Sequence, residues 1–310
     1  MSNTTKGLSA PLRVYWDLKP EEEGGLSAAK ASGTARELAA MRVFYVVLRV
    51  AQGVRDDIAE LACLLTDGGV KVTVSFRQPA SFPGWDRLPG IDVDLSPADA
   101  RAMEGLVDRI LPGMPEGRQV SVSVVPTAEG ARSLGEIFST AVKAGIRTFN
   151  LPNPDLVGGR GHEASFVLDE AGRSAVKAEV EAVVGPLGAD ARLNVHDLFL
   201  HQSLSIPGLS GRIEYAGCQA GDALVYIASD GHVYPCASLP VVIGDLKAAT
   251  FKEAWSSASR EAVRQGIKAM PEECADCPGC AECKGGCRGL AFALSGRYGK
   301  DPGCGYGHGG

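Results

Sequence analysis

Long apolar runs are missing from this sequence. The longest, around Val43 to Leu48, falls far short of the roughly 20 residues a membrane helix needs. The opening stretch MSNTTKGLSA has neither the charged nor the apolar region of an export signal. No Lys/Arg block occurs either: 31 basic residues face 37 acidic ones, a net charge of −6, so the electrostatic footprint of a nucleic-acid binder is absent. A Gly-rich phosphate loop, a nucleophile elbow and a zinc-protease helix are all lacking, and the glycine cluster GGRG at 158–161 stands alone. These absences argue against membrane and nucleic-acid partners and predict a cytoplasmic protein.

Cysteine is nearly absent from the first two thirds of the chain. Of nine cysteines only Cys63 precedes Cys218, and the other eight lie between Cys218 and Cys304. Cys63 falls between Leu61 and Leu64 on a helical pattern, where a free cysteine behaves as a small buried hydrophobe. The eight are too concentrated for scatter. In a chain without an export signal, a reducing compartment keeps such thiols free, so they read as metal ligands rather than disulfides.

Their order is Cys218, twelve residues, Gly231, four residues, Cys236, a gap, Cys274-x2-Cys277-x5-Cys283-x3-Cys287, a second gap, and Cys304. Cys280 sits inside the five-residue spacer. Structural zinc takes four ligands, and a structural zinc-binding protein is one reading of such spacings. Seven or eight thiolates suffice instead for two iron-sulfur clusters, and this is the preferred reading. The run Cys277-x2-Cys280-x2-Cys283-x3-Cys287 also reads like a ferredoxin loop, with Arg288 where ferredoxins carry proline.

The seven-cysteine order resembles the SPASM domain, the auxiliary-cluster module at the C-terminus of radical S-adenosylmethionine (SAM) enzymes. The text between the cysteines agrees: CQAGDALVYIASDGHVYPC, then IGDL, FKEAW, CKGGCRG and DPGC. The resemblance implies that Cys218, Cys236 and Cys287 hold one cluster, that Cys274, Cys277, Cys283 and Cys304 hold a second, and that both are of the [4Fe-4S] type. Some members of the family carry a further cysteine shortly after the first. Here QAGDAL has none, so the fourth position of the first cluster is open or is held by Asp222, Cys280 or another group.

With 310 residues, 45% of them hydrophobic, the chain can bury a sizeable core and divides into about two domains. From Pro11 it alternates strand-like runs with helical patterns. Strands are predicted over Arg13 to Leu18, Val43 to Val50, Val70 to Phe76, Ile91 to Leu95, Val120 to Val125 and Ile146 to Leu151. Between them, Ile58, Leu61, Ala62 and Leu65, then Met103, Leu106, Val107 and Ile110, then Leu134, Ile137, Phe138, Ala141 and Val142 recur at helical spacing. A further helix carries Val176, Val180, Val183, Val184 and Leu187 on one face and leads to a strand-like RLNVHDLF. Such alternation predicts an α/β fold with a parallel sheet, closed or half-closed, and helices outside it. A Pro/Gly-rich IPGLSG ends this part, giving domains 1–204 and 205–310. A hairpin from Leu224 to Cys236 turns at Asp230-Gly231.

Six β/α units followed by a SPASM module resemble the partial (β/α)6 barrel of radical SAM proteins, including LPNPDLVGG at the sixth strand. The family's C-x3-C-x2-C loop after the first strand is not there: after RVYWDL the chain reads KPEEEGGLSAAKASGT, without cysteine. Where the family has a Gly-Gly-Glu-Pro turn after the second strand, this chain has VAQG. The resemblance therefore implies a degenerate barrel that does not use SAM. Glu21, Glu22 and Glu23 lie in the vacant loop, but hard carboxylates suit a soft iron-sulfur cluster poorly, and the run reads as solvated surface. His162, His196, His201, His232 and His308 have no spacing that pairs them with a cysteine loop, and His232 reads as an exposed turn histidine. The glycine-rich GYGHGG reads as a flexible tail.

Two functional expectations follow. The first is a non-catalytic iron-sulfur accessory or electron-transfer protein, similar to the SPASM-domain companion proteins of GeoRSP-type peptide-maturation systems. That likeness implies a complete radical SAM/SPASM protein and a small peptide-binding protein as partners, and a peptide as their substrate. Because no peptide-recognition domain precedes Pro11, the peptide is expected to be gripped by another subunit. The second is an atypical radical SAM/SPASM peptide maturase that uses the open iron of its first auxiliary cluster.

Overall fold

Successive residues of a strand point to opposite faces, and the strands of this protein bury one face in hydrophobic side chains and line the other with polar ones. The computed structural model describes residues 8–50, 55–76, 88–96, 119–157, 167–206 and 216–305. Seven parallel strands run in chain order: β1 (Arg13–Leu18), β2 (Tyr45–Val50), β3 (Lys71–Phe76), β4 (Gly90–Leu95), β5 (Gln119–Val124), β6 (Thr148–Leu151) and β7 (Arg192–Val195). The residues Val14, Trp16, Val46, Leu48, Val72, Val74, Ile91, Val93 and Val122 are all buried. They join one core with helices α1 (Ala28–Ala40), α2 (Ile58–Asp67), α3 (Ala131–Lys143) and α4 (Glu170–Val184), and with Leu200 of α5 (Leu198–Ser203).

On the other side of β1, strand β8 (Leu224–Ile227) pairs in parallel, with Arg13 opposite Leu224 and Trp16 opposite Ile227. The antiparallel strands β9 (His232–Tyr234) and β10 (Gly244–Asp245) follow outward. The result is one ten-stranded sheet in the order β10-β9-β8-β1-β2-β3-β4-β5-β6-β7. The cysteine-rich part therefore starts as an extension of the same sheet.

Three sequence expectations meet a different outcome. The stretch after RVYWDL, read as loop, contains helix α1; Ser27 caps it by accepting from the Lys30 amide, and it buries only Ala31, Thr34, Ala35 and Leu38. The helix expected to reach Leu187 ends at Val184, and Pro186, which has no N–H to donate, opens a 3-10 turn over Gly185–Asp190. Cys63 is exposed rather than buried. The buried face of α2 is Ile58, Leu61, Ala62 and Leu65, and the residue after Ala62 is rotated about 100° away from it. The predicted helix at Met103 to Ile110, residues 51–53 of VAQG, the GGRG segment, His162, His308 and most of IPGLSG lie outside the described residues.

The polar face of the sheet is organised by two buried groups. Arg49 donates to Asp17 Oδ1 at 2.5 Å and to Asp155 Oδ2 at 2.7 Å, and the Tyr226 hydroxyl donates to Asp17 Oδ2 at 2.8 Å. Asp92 accepts from Ser75 (2.9 Å), Ser121 (2.5 Å), Ser123 (2.8 Å) and Asn150 (3.1 Å), one donor from each of four strand positions around it. Glu21, Glu22 and Glu23 form an exposed 3-10 turn after β1.

Candidate metal centre

The module after β9 is held against the sheet by short motifs whose residues have packing reasons. In FKEAW, helix α6 (Phe251–Trp255) buries Phe251, Ala254 and Trp255, a helical face, and Thr250 with Glu253 forms a reciprocal cap. The glycine of IGDL is dictated by that face: a Cβ on Gly244 would lie 2.3 Å from the Ala254 Cβ. Helix α7 (Ala258–Lys268) then sends two arginines back to the first cysteine loop. Arg264 Nη1 donates to the carbonyls of Cys218 (2.9 Å) and Ala220 (2.8 Å), and Arg260 Nη1 to that of Gly221 (3.0 Å).

Cys236 follows β9 and is fastened to the loop after β6. The amides of Leu156 and Val157 both donate to the Ala237 carbonyl at 2.9 Å, and Ser238 Oγ donates to the Pro154 carbonyl at 2.6 Å. From the same loop, Asn153 Nδ2 donates to Cys287 Sγ at 3.4 Å.

Between Cys283 and Cys287 the chain reverses through three consecutive left-handed residues, Lys284, Gly285 and Gly286. Gly286 has a second constraint, because a Cβ there would come within 2.4 Å of the Asp301 side chain. That close approach lets Asp301 accept from the Cys287 amide at 2.5 Å and from the Gly303 amide at 2.8 Å, tying the start of helix α9 (Arg288–Ser295) to the Cys304 turn. The words KGGC and DPGC of the sequence thus meet at one aspartate.

All nine cysteines are free thiols. Cys218, Cys236 and Cys287 are electrostatic neighbours of one another. Cys274, Cys277, Cys283 and Cys304 line a single cavity of about 340 Å3, together with Glu272, Asp276 and Lys300. Cys280, on the short helix α8 (Cys280–Cys283), neighbours Cys274 and Cys283 but is not part of the cavity wall, and its thiol donates to the Met270 sulfur at 3.2 Å. Asp222, the other candidate for a fourth position, is engaged by Arg264 Nη2 at 3.3 Å. Among the described residues, no three His, Cys, Asp or Glu side chains converge on a point that would hold a single metal ion.

Burial and mutual repulsion act on these thiols together. Burial, followed by Cys218, raises Cys236 and holds Cys287 far above the ordinary thiol range. Cys274 is pushed up to about 11 by burial and then by Cys280, Cys283 and Cys304, and Cys283 is raised by burial and then by Cys280, Cys304 and Cys277, against a backbone hydrogen bond at Gly285. Thiols gathered in this way resist ionisation one by one, and a cationic centre bound among them reverses the balance by displacing their protons. Soft sulfur donors in two groups, one around a cavity, fit iron-sulfur clusters in chemistry and in room.

His232 pairs with Asp230, Nδ1 to Oδ2 at 2.9 Å, at the expected hairpin turn. His196 and His201 are placed at the end of β7 and in α5, away from the cysteine loops in sequence. Three residues of the centre escaped the sequence reading: Asn153, Asp301 and Arg288 in its buried position. Asn153 carries no local signal, because its partner is 134 positions away, and Asp301 belongs to DPGC, whose text does not show the tie to Cys287.

A parallel α/β sheet is prolonged by a module that carries two groups of sulfur donors. Residues 218–278 match the SPASM family, described as an iron-sulfur cluster-binding domain. Cys280, Cys283, Cys287 and Cys304 lie beyond the matched segment. The chain is similar to the AdoMet-dependent heme synthase of Methanosarcina barkeri (strain Fusaro / DSM 804), at 32% identity over 82 residues, 26% of this chain and 23% of that one. It therefore spans under a quarter of that relative's length in the match.

In fold it is similar to Streptococcus suis SuiB, with a TM-score of 0.66 at 15% identity over 96% of this chain and 77% of the other. SuiB bound to the precursor peptide SuiA gives 0.66 at 17% identity, over 96% and 76%. Native anSMEcpe with bound AdoMet and the Cp18Cys peptide gives 0.60 at 15% identity, over 94% and 92%. At these identities the likeness is one of fold. Among the described residues, no helix is long and apolar enough to cross a membrane.

Proposed function

We propose that this protein is an iron-sulfur accessory of a radical SAM peptide-maturation system, working in the reducing cytoplasm beside a complete radical SAM/SPASM protein and a peptide-binding protein. The observation that carries this reading is the distribution of thiols: eight gathered in the module, none in residues 19–34 after β1. That loop instead presents the exposed Glu21–Glu23 turn and helix α1. Cys218, Cys236 and Cys287 would hold one cluster and Cys274, Cys277, Cys283 and Cys304 the other, both of the [4Fe-4S] type. Such clusters supply one-electron transfer. The protein's own part is to hold the thiols, exclude water from the buried ones, and present the assembly to a partner.

The test is elemental and then functional. Anaerobically purified protein should be brown, with several iron and sulfide atoms per chain and little zinc. Given reductant and SAM, it should form no 5′-deoxyadenosine above a protein-free control. It should associate with an intact radical SAM protein at micromolar concentration and raise that partner's yield of modified peptide. Colourless zinc protein, robust SAM cleavage, or absence of association would each overturn the corresponding part of the reading.

A further inference from the structure

Arg288 is among the largest fully buried side chains of the protein, at 1% exposure. A buried guanidinium is ordinarily matched by a carboxylate, because an unpaired charge in the interior is strongly disfavoured. Among the described residues Arg288 forms no ion pair. Its Nη2 donates to the Ala269 carbonyl and its Nη1 to the Gly299 carbonyl at 3.4 Å, both neutral acceptors, and its Nε is buried without a partner. The fork is confined on one side by Gly285, where a Cβ would lie 2.6 Å from Nη1, so no larger residue is tolerated there without displacing it.

The guanidinium lies against Gly285, in the turn between Cys283 of one sulfur group and Cys287 of the other, and Cys218, Cys274, Cys280 and Glu273 are its further electrostatic neighbours. In the bare module none of the arginine's hydrogen-bond partners is an anion, and Glu273 pairs with Arg297 at 3.4 Å instead. Thiolates ligating a cluster would set negative charge on both sides of it. The side chain is therefore matched to the loaded state of the module and mismatched to the bare one.

We propose that Arg288 is a shared buried counter-ion for the two clusters, a positioning residue that favours their retention and raises the reduction potential of both. This rests on the proposed cluster assignment. The direction is set by charge: reduction adds an electron to each centre, and a fixed cation nearby favours the more negative, reduced form. Neither Ala269 nor Gly299 can supply such a bias, since their carbonyls only fix where the guanidinium lies.

The experiment compares wild type, Arg288→Lys and Arg288→Gln as purified full chains, by iron and sulfide content and by reductive titration followed by EPR. Wild-type protein holding no iron would sink the cluster assignment itself, before any variant is considered. With iron present in wild type, Arg288→Gln is expected to shift both midpoints to more negative potential or to lose iron. Arg288→Lys, which keeps the charge but not the fork, is expected to fall between wild type and the Gln variant. Midpoints in Arg288→Gln equal to wild type would overturn the proposal. So would Lys and Gln variants that behave alike, including equal loss of iron from both, because that outcome assigns the residue a shape role independent of charge.

Discussion

Asn153 and Cys287, 134 positions apart, meet where the loop after β6 touches the cysteine module, the amide of one donating to the sulfur of the other. Hydrogen bonds to ligating sulfur stabilise the reduced form of an iron-sulfur centre. Asn153→Ala should therefore lower the midpoint potential of the cluster assigned to Cys218, Cys236 and Cys287 and leave the other unchanged. EPR-monitored titration of the two signals checks this, and an equal shift in both would show that the contact is not specific.

The two sulfur groups give separable losses. Cys274→Ala or Cys304→Ala should remove one spectroscopic signal, and Cys218→Ala or Cys236→Ala the other. Cys280→Ala should retain both, because its thiol faces Met270 and stands outside the cavity wall. Iron counting together with EPR decides it. Loss of the signal assigned to Cys274, Cys277, Cys283 and Cys304 in the Cys280 variant would favour the ferredoxin-like partition instead.

Arg49 is the cation between Asp17 and Asp155, with both carboxylates nearly buried. Replacing it by Met should cost about 3–5 kcal/mol, the range for stranding a buried charge by removing its partner. Chemical denaturation under anaerobic conditions measures the loss. A change under about 1 kcal/mol would mean that solvent reaches the pair.

Asp92 links stability to pH. Burial lifts its carboxyl to about 6, with repulsion from Asp94 adding to the rise and the Ser121, Ser123 and Ser75 hydroxyls opposing it. Since the folded value lies above the unfolded one, the folded protein binds more protons between about pH 4 and 6, and stability falls as pH rises through that window. By pH 7 the ionised carboxylate costs up to about 3 kcal/mol. Asp92→Asn should flatten this slope and raise the thermal midpoint at pH 7, as unfolding curves at pH 4.5 and 7 would show; an unchanged slope would assign the effect elsewhere.

Much of the sheet was legible because its strands are β-branched runs between turn residues, and β1 to β6 fall within a few residues of where the pattern placed them. Helix α1 was not, since apart from Leu38 its inner face is built of alanine and threonine, too small to stand out as an apolar stripe beside KPEEEGG. Cys63 shows the limit of a one-residue argument: a position between two leucines is still free to lie on the outer face. The cysteine spacings carried the composition of the candidate centre, but the pairing of β8 with β1 and the reach of Asn153 depend on contacts between segments far apart, which no local pattern encodes. Arg288 was noticed only as a departure from proline; its burial decides its interest.

Strand β1 obtains its second neighbour late. Its partner on one side, β2, is made soon after it, but the Tyr226 hydroxyl that reaches Asp17 belongs to a residue 209 positions further on. As the chain leaves the ribosome, the hydrogen-bonding edge of β1 stands uncovered until β8 has been synthesised, and uncovered edges template wrong pairings. The cysteine module is thus also the closing piece of the sheet. A pause or truncation before residue 224 would leave a half-made edge that aggregates, whatever the supply of iron.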